Sequence, residues 1–272
     1  MKVLVTGANG MLGQDLCPIL EDNGYEVVET DVNTLDITNI EQVKTVLNKE
    51  NPDIVVHCAA YTNVDKAEED LKTAELINVT GTENVAEVCG KSGITLIYIS
   101  TDYVFDGTKN SPYTPEDMPN PINNYGITKY EGEEAVRSLC EKYYVARTSW
   151  LYGHHGKNFV ETMLKLADNN EVNVVDDQVG CPTWTVELAN GIVKLLSKPY
   201  GTYHICGSGS TSWYGFAKEI FAQSNLDVNL HPCKTEAFPR PAKRPSYSVM
   251  ENNGICRNWQ AALKDYLNLR DI

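Results

Sequence analysis

The N-terminal stretch constrains the fold of this chain more than any other. A short apolar run over residues 3–6 meets three glycines spaced G-x-x-G-x-x-G, at Gly7, Gly10 and Gly13, and an amphipathic helical pattern follows. Glycines let backbone N–H groups approach a phosphate closely, and the positive end of a helix dipole points to the same place. The strand before the glycines and the helix after them favour a dinucleotide-binding turn over an ordinary glycine turn.

Strand patterns alternate with helical patterns through the first half of the chain. Apolar runs predict strands over residues 3–6, 26–30, 53–58, 94–100 and 144–149, and helical periodicity predicts helices after the glycines and over residues 39–50, 64–91 and 125–142. We expect interruptions near Asp70 and Gly81, and a bend at Pro18. This order predicts an α/β fold with a Rossmann-type, doubly wound parallel sheet, whose ligands bind beyond the carboxyl ends of the strands.

The pattern loosens after residue 150, which predicts a smaller C-terminal α+β lobe that binds the substrate. Helices are predicted near residues 158–169, 184–197, 212–224 and 258–268, and strands near 172–175 and 202–206. We expect residues 1–149 to form the dinucleotide-binding domain, with return elements from about 171–199. Residues 150–170 and 200–272 then form the lobe.

Charge and cysteine content exclude several classes of partner. The net charge is −14, from 23 basic and 37 acidic residues, which argues against binding to a nucleic-acid polymer or an anionic membrane surface. No apolar run reaches the roughly 18 residues of a transmembrane helix, and the N-terminus reads as a strand rather than a signal peptide. The eight cysteines are scattered without a C-x-x-C pair, so we expect reduced thiols and a cytoplasmic location.

Tyr125 and Lys129 are the candidate catalytic pair. They lie four residues apart on one face of a predicted helix, and a nearby ammonium should lower the phenol pKa so that the tyrosine can exchange a proton with a substrate oxygen. The Thr101 hydroxyl follows a predicted strand and could bond the same oxygen. A second pair with this spacing, Tyr214 and Lys218, is explained by core packing and a solvated lysine. The plainer alternatives are a turn role for Thr101 and a helix-start role for Tyr125.

Longer strings carry a resemblance to a known family. They are STDYVFDG at residues 100–107, NYGITK at 124–129, RTSWLY at 147–152, DQVGCPT at 177–183, and Arg244-Pro245. Together with the glycine spacing, they resemble the dTDP-4-dehydrorhamnose reductase family of the extended short-chain dehydrogenase/reductase superfamily, over nearly the whole chain. The resemblance implies NAD(P)H-dependent reduction of the 4-keto group of dTDP-4-dehydro-L-rhamnose to dTDP-L-rhamnose, as a step of polysaccharide biosynthesis.

The resemblance also implies residue roles. Thr101 would orient the keto oxygen, Tyr125 would donate the proton, and Lys129 would hold the nicotinamide ribose and tune Tyr125. The remaining expected cofactor contacts are Gly7, Asn9, Gly10, Met11 and Leu12 at the pyrophosphate, Asp31 at the ribose, Asp36 and Ile37 at the adenine, and Ala59, Ala60 and Tyr61 over the cofactor. The remaining expected substrate contacts are Asp102, Tyr103, Trp150, Arg240 and Arg244.

Two of these expectations also rest on charge. Asp31 stands 18 residues past Gly13 with no lysine or arginine at residues 30–35, so it should accept hydrogen bonds from ribose hydroxyls and repel a 2′-phosphate. We therefore expect NADH to serve at least as well as NADPH. Residues 240–245 form the only basic cluster of the second half, so Arg240 or Arg244 is expected at the phosphates or nucleoside of the substrate; a solvated basic loop is the alternative.

A metal is not expected. Some members of the family hold Mg²⁺ at a dimer interface, and Asp15 and Glu187 match two of the acidic positions, but Asn268 and Leu269 stand where a third would be needed. The resemblance allows a homodimer.

His57 is interpreted as a core or crevice histidine. The adjacent histidines at 154–155 lack chelating geometry, the acidic stretch 65–70 reads as a solvated helix face, and Cys58 and Cys181 could lie near the crevice without acting as nucleophiles.

Two other functions compete with the reductase. A sugar-nucleotide 4,6-dehydratase or epimerase shares the fold, but dehydratases carry an acidic pair after the threonine, and here Asp102 is followed by Tyr103. The other alternative is a non-catalytic regulatory subunit of the same family. The intact Thr101, Tyr125 and Lys129 argue against that reading.

Overall fold

A six-stranded parallel sheet forms the centre of the molecule. The protein is described by a computed structural model over residues 1–169 and 171–270. Strands and helices are numbered in chain order. The strands of the large sheet are β1 (Lys2–Thr6), β2 (Glu26–Thr30), β3 (Ile54–His57), β4 (Thr95–Thr101), β5 (Tyr143–Thr148) and β10 (Gly201–His204). They lie side by side in the order β10-β5-β4-β3-β1-β2. The predicted Rossmann-type fold is confirmed.

Helices cover both faces of this sheet, because successive side chains of its strands point to opposite sides. Val3 and Val5 of β1 face one layer, whereas Leu4 between them faces the other. The first layer contains α1 (Met11–Asp22) and α8 (Thr185–Leu195). The second layer contains α2 (Ile40–Glu50), α5 (Gly81–Ser92) and α6 (Asn124–Leu139).

The segment predicted as one helix over residues 64–91 is divided. It consists of α3 (Val64–Glu69), α4 (Leu71–Glu75), a π-helical turn (Leu76–Thr80) and α5. Asp70 ends α3 and caps α4 by accepting a hydrogen bond from the Thr73 N–H, which confirms the interruption there. At Gly81 the helix continues instead of breaking. A Cβ at Gly81 would approach the Ile37 Cδ1 to 2.7 Å, so close packing explains this glycine.

A second apolar cluster forms the C-terminal lobe. Its helices are α7 (Phe159–Leu166), α9 (Trp213–Gln223) and α10 (Trp259–Leu269). Three two-stranded pairs complete it: β6 (Leu151–Tyr152) with β9 (Thr183–Trp184), β7 (Val172–Val175) with β12 (Leu230–Cys233), and β8 (Val179–Gly180) with β11 (Thr211–Ser212). Two 3₁₀ turns lie at Asp102–Val104 and Thr235–Ala237.

The observed sheets differ from the predicted domain boundaries at four strands. We placed β10 in the lobe, but it pairs in parallel with β5 at the edge of the large sheet. We placed β7, β8 and β9 among the return elements of the dinucleotide-binding domain, but they pair with β12, β11 and β6 in the lobe. Between them, α8 packs against α1 as a return element should. The chain therefore crosses between the two units more often than its strand patterns indicate.

Candidate active site

A cavity of about 840 Å³ opens beyond the carboxyl ends of β1 to β5. Most of the predicted site residues line it. Those in the lining are Gly7, Gly10, Met11, Leu12, Asp31, Asp36, Ile37, Ala59, Ala60, Thr101, Asp102, Tyr103, Tyr125, Lys129 and Trp150. Asn9, Tyr61, Arg240 and Arg244 are not in the lining. The structure therefore brings residues that follow the carboxyl ends of β1, β2, β3, β4 and β5 together in a single cavity.

The glycine turn closes tightly against its neighbours. Gly7 has a φ of +67°, and a Cβ there would lie 2.8 Å from the Ala59 backbone nitrogen. At Gly13, a Cβ would approach the Ala8 Cα to 2.5 Å, so this glycine lets α1 pack onto the turn. The N-cap of α1 is Gly10, which has no side chain to cap the helix. The N–H groups of the first turn are therefore available to an anion.

Asp31 is fixed at the end of β2 beside this turn. Its carboxylate accepts hydrogen bonds from the Asn9 N–H at 3.0 Å and from the Val32 N–H at 2.8 Å. Asn9 thus supports Asp31 from outside the cavity lining. Asp36, further along the same wall, accepts from the Thr38 N–H and hydroxyl. The glycine turn and the two carboxylates fit a dinucleotide, with N–H groups for its pyrophosphate and acceptors for ribose hydroxyls.

Thr101, Asp102 and Tyr125 form a buried hydrogen-bonded group at the carboxyl end of β4. The Thr101 hydroxyl donates to the Asp102 carboxylate at 3.1 Å, and the Ser248 hydroxyl donates to the other carboxylate oxygen at 2.6 Å. Burial raises the pKa of Asp102 to about 6, against the opposing effect of these hydrogen bonds. Burial likewise raises the pKa of Tyr125 to about 12, although a hydrogen bond with Thr101 acts in the other direction. Tyr125 is therefore a neutral phenol at physiological pH.

This result corrects the predicted influence of Lys129 on Tyr125. We expected the ammonium to lower the phenol pKa, but its Nζ lies over the Tyr98 ring, 4.0 Å from the ring centroid. Burial lowers the pKa of Lys129 to about 7, while Glu133 and Cys58 oppose this shift. Both groups of the pair are thus desolvated, and burial is the main cause of both pKa shifts, upward for the phenol and downward for the ammonium.

A buried ion pair stands behind Lys129. Glu133, one turn further along α6, accepts hydrogen bonds from the Arg147 guanidinium at 2.8 and 2.7 Å and from the Ser100 hydroxyl at 2.6 Å. Arg137 also donates to it at 2.7 Å. Glu133 and Arg147 escaped the sequence reasoning, because a Glu–Arg pair 14 positions apart carries no local signal. The ion pair fixes α6, and with it Tyr125 and Lys129, against β4 and β5.

The acidic stretch 65–70 is not the solvated helix face that we predicted. The Asp65 carboxylate accepts two hydrogen bonds from the Arg244 guanidinium, at 2.5 and 2.9 Å, and one from the Ala242 N–H. The hydrogen bond with Arg244 lowers the pKa of Asp65. Arg244 also interacts with the Tyr103 hydroxyl, and the Tyr103 ring meets the Tyr125 ring edge-on, with centroids 5.8 Å apart. Arg244 therefore ties the lobe to α3 behind the cavity.

Trp150 lies at the lobe end of the cavity, where it stacks on Trp213. The two ring centroids are 3.5 Å apart and the rings are nearly parallel, at 3°. Trp150 has a φ of +46°, which is uncommon for a residue with a Cβ. A Cβ at Gly180 would come within 2.5 Å of the Trp150 ring, so Gly180 leaves room for it. Sequence reasoning did not identify Trp213, which lines the cavity beside Trp150.

The remaining candidates have structural roles. The two ring nitrogens of His57 bond the hydroxyls of Thr6 and Thr82, and burial lowers its pKa to about 3, which confirms the interpretation as a core histidine. His154 stacks on the Tyr266 ring at 4.2 Å, and His155 lies 3.5 Å from Asp15. Neither Tyr214 nor Lys218 belongs to the cavity lining.

The cysteines and acids considered earlier also have defined surroundings. All eight cysteines are free thiols. Cys58 lines the cavity, whereas Cys181 is buried in a separate apolar cluster. Asp15 accepts a hydrogen bond from the Thr185 hydroxyl, and Glu187 pairs with Arg257 at 2.6 Å. In residues 1–169 and 171–270, no three histidine, cysteine, aspartate or glutamate side chains form a metal-binding group. Within the same ranges, every helix is too short or too polar to cross a membrane.

Comparison with known proteins follows the same lines. The model of the family described as "RmlD substrate binding domain" matches residues 1–270. The spore coat polysaccharide biosynthesis protein SpsK of Bacillus subtilis is 43% identical over an alignment of 276 positions, gaps included. The alignment covers 99% of this chain and 98% of that protein. A crystal structure of a dTDP-4-dehydrorhamnose reductase from Clostridium acetobutylicum has a TM-score of 0.97 at 47% identity and covers 100% of both chains. The structure of dTDP-4-dehydrorhamnose reductase from Bacillus anthracis in complex with NADP has a TM-score of 0.95 at 44% identity, over 98% and 99% of the two chains.

Proposed function

This chain belongs to the RmlD substrate binding domain family and is an NAD(P)H-dependent oxidoreductase. We propose that it reduces the 4-keto group of dTDP-4-dehydro-L-rhamnose to give dTDP-L-rhamnose. One observation carries the proposal: Thr101, Tyr125 and Lys129 line the same cavity as the glycine turn. A hydroxyl pair able to bond a carbonyl oxygen thus shares one enclosed space with a dinucleotide-binding turn.

The bound nicotinamide supplies the hydride in this proposal. The residues of the chain hold the keto oxygen and supply its proton. The Tyr125 hydroxyl offers one donor to a carbonyl oxygen at the carboxyl end of β4. The Thr101 hydroxyl would be the second donor once its proton turned from the Asp102 carboxylate to the substrate oxygen, and the two together would polarise the carbonyl. Tyr125 retains its proton at neutral pH because burial raises its pKa to about 12. As negative charge develops on the substrate oxygen, proton transfer from the phenol becomes favourable.

Lys129 makes that transfer easier when it carries a charge. Its pKa of about 7 means that the ammonium is only partly populated at neutral pH in the protein alone. A charged Lys129 stabilises the phenolate that remains on Tyr125 after it has given its proton. Lys129 would also donate hydrogen bonds to the ribose hydroxyls of the cofactor. Bound ribose would restore polar partners to the ammonium and so favour its charged form.

The sugar nucleotide would occupy the lobe end of the cavity. Asp102 and Tyr103 would contact the hexose beside Tyr125, and the exposed face of Trp150 would pack on it. Contact between Arg240 or Arg244 and the nucleotide remains a prediction. For Arg244, it requires the Asp65 pair to open. Arg240 is less committed: its side chain is 62% exposed and lies 3.8 Å from Asp65.

The test is an assay of NAD(P)H oxidation with purified protein and dTDP-4-dehydro-L-rhamnose. We expect stoichiometric formation of dTDP-L-rhamnose, with the C4 configuration read by NMR. The epimeric product would identify another sugar-nucleotide 4-ketoreductase. Absence of NAD(P)H oxidation with this sugar, while the protein still binds NAD(P)H, would contradict the proposed substrate.

A further inference from the structure

Positive charge is scarce in the cavity, although its proposed ligands carry diphosphate groups. Among the residues described in the cavity lining, three are acidic, Asp31, Asp36 and Asp102, and two are basic, Lys129 and Lys157. The net charge of the chain, −14, adds a repulsive background for an anionic ligand. Each cation in the lining therefore matters more than it would in a neutral protein.

Lys129 is already committed to the reaction centre. It is buried against the Tyr98 ring, within reach of the field of Glu133, at the end of the cavity where the keto group is proposed to bind. Arg244 is committed as well, because its guanidinium donates to both carboxylate oxygens of Asp65. Neither cation is free for a phosphate without losing an existing interaction.

Lys157 differs from both. It is exposed to the cavity, and its side chain makes no hydrogen bond or ion pair with any residue in the described ranges 1–169 and 171–270. An ammonium without a protein partner keeps its full capacity to donate to an anion. No sequence pattern indicated Lys157, because a single lysine in a loop has no periodic neighbours.

The backbone around Lys157 is nevertheless fixed. The next residue, Asn158, is buried; its Oδ1 accepts from the Glu161 N–H at 3.0 Å and its Nδ2 donates to the Gly153 carbonyl at 2.7 Å. At the start of the loop, Gly153 packs closely on α1: a Cβ there would lie 3.1 Å from the Met11 Cγ. The lysine is thus a free side chain on an anchored loop, which limits the entropy lost when it orders on a ligand.

The neighbours of this loop place Lys157 between the two proposed ligands. Met11 opens α1 at the glycine turn, where the cofactor pyrophosphate is expected. Phe159, two residues after Lys157, contacts Trp213 with ring centroids 4.6 Å apart, at the end where the sugar nucleotide is expected. We propose that Lys157 is a diphosphate-binding residue of this cavity. The inference rests on the proposed function, which supplies the dinucleotide cofactor and the sugar nucleotide as ligands. A diphosphate is the group that these two ligands share.

Direct binding measurements test this without turnover. The variants are Lys157→Gln, which removes the charge, Lys157→Arg, which keeps it, and Lys165→Gln, an exposed lysine of α7 outside the cavity lining. The probes are NADPH, followed by its fluorescence, and dTDP, followed by calorimetry. We expect Lys157→Gln to lower the affinity for one of the two probes by roughly tenfold or more, as for a lost charge-assisted hydrogen bond. The affinities of Lys157→Arg should stay close to those of the parent.

The pattern of the result identifies the ligand. Weaker binding of dTDP alone assigns Lys157 to the sugar nucleotide, and weaker binding of NADPH alone assigns it to the cofactor. In either case the salt dependence of binding should become shallower in Lys157→Gln. Unchanged affinity for both probes, or an equal loss in Lys165→Gln, would overturn the proposal. Because no turnover is measured, a wrong sugar in the proposed function would leave this outcome intact.

Discussion

The cavity has two walls, and they are assembled from different ranges of the sequence. The nucleotide wall consists of lining residues drawn from the segments 7–13, 31–38 and 58–60, each of which begins directly after a strand. The lobe wall consists of residues 149–151, Lys157 and Trp213. The contacts that hold the lobe against the sheet domain join distant residues: Arg244 and Asp65 are 179 positions apart, and Ser248 and Asp102 are 146 apart.

This difference has a chemical counterpart. Around the pyrophosphate, the nucleotide wall offers mainly backbone N–H groups and small residues, which bind features that all dinucleotides share. The Asp31 carboxylate is the side chain of this wall that is expected to distinguish NADH from NADPH. The lobe wall offers a stacked tryptophan pair and a free ammonium, which depend on side-chain identity. We therefore expect substitutions of the tryptophan pair to act on the sugar nucleotide, and substitutions in the nucleotide wall to act on the cofactor. Lys157 should act on whichever of the two diphosphates it binds. Tyr125 and Lys129, between the two walls, should act on the chemical step.

The largest effect is expected where the walls meet. Tyr125→Phe removes the proton donor and keeps the ring against Tyr103, so kcat should fall by ~10²–10⁴-fold with little change in either KM. The measurement is steady-state kinetics with both substrates varied, together with a thermal melt to show that the variant folds.

Tyr214→Phe is the matched control for this prediction. Tyr214 has the same spacing to a lysine, but it lies in α9 and outside the cavity lining. We expect near-parent kinetics for it. Equal losses in the two variants would break the assignment of the reaction centre and the comparison built on it.

The second prediction concerns the pH dependence of the reaction centre. The pKa of Lys129 is lowered to about 7, so its ammonium is present below that pH and is lost above it, whereas Tyr125 stays protonated up to about 12. Since kcat/KM for the cofactor reports the free enzyme, this parameter should fall with rising pH above about 7, by up to about tenfold per pH unit. A profile that stays flat from pH 7 to 9 would show that the charge of Lys129 is not needed in the free enzyme.

The third prediction sharpens the nucleotide wall. The Asp31 carboxylate should accept the ribose hydroxyls and repel a 2′-phosphate, so the parent should use NADH at least as well as NADPH. Asp31→Asn removes the charge and keeps the size, and we expect its kcat/KM ratio to move toward NADPH by roughly tenfold, equivalent to about 1.4 kcal/mol. The kcat/KM values for NADH and NADPH are measured at one fixed concentration of the sugar nucleotide. The KM for the sugar nucleotide should not change in the variant. A parent enzyme that strongly prefers NADPH would contradict this role for Asp31.

The sequence predicted the nucleotide wall better than it predicted the contacts between the lobe and the sheet domain. Residues 7–13 and Asp31 could be placed because a strand, a turn and a helix follow one another directly, and the rule for parallel sheets then locates the ligand. β10 and β7 were assigned to the wrong units, since an apolar strand pattern gives the existence of a strand but not its partner. The long-range pairs Arg244–Asp65 and Glu133–Arg147 left no periodic signal in the sequence at all.

The pKa of Tyr125 shows a second limit. Spacing correctly placed Tyr125 and Lys129 in one cavity, but it predicted a lowered phenol pKa, whereas burial raises it. The depth of a side chain depends on the whole fold, and the desolvation that follows can exceed the effect of a neighbouring charge. Sequence patterns therefore identify partners within one element better than they identify the environment that those partners share.

The smallest effect is expected from Trp213, which tests the lobe wall alone. Its ring stacks on Trp150, and an aromatic pair is worth about 0.5–1.5 kcal/mol beyond its buried area. Trp213→Ala should therefore raise the KM for the sugar nucleotide by roughly two- to tenfold, as Trp150 loses its support, and leave the KM for NADH unchanged. Trp213→Phe retains a stacking face and should recover most of the loss. If the two KM values rise together, Trp213 supports the whole fold rather than Trp150, and the two walls do not separate the two ligands.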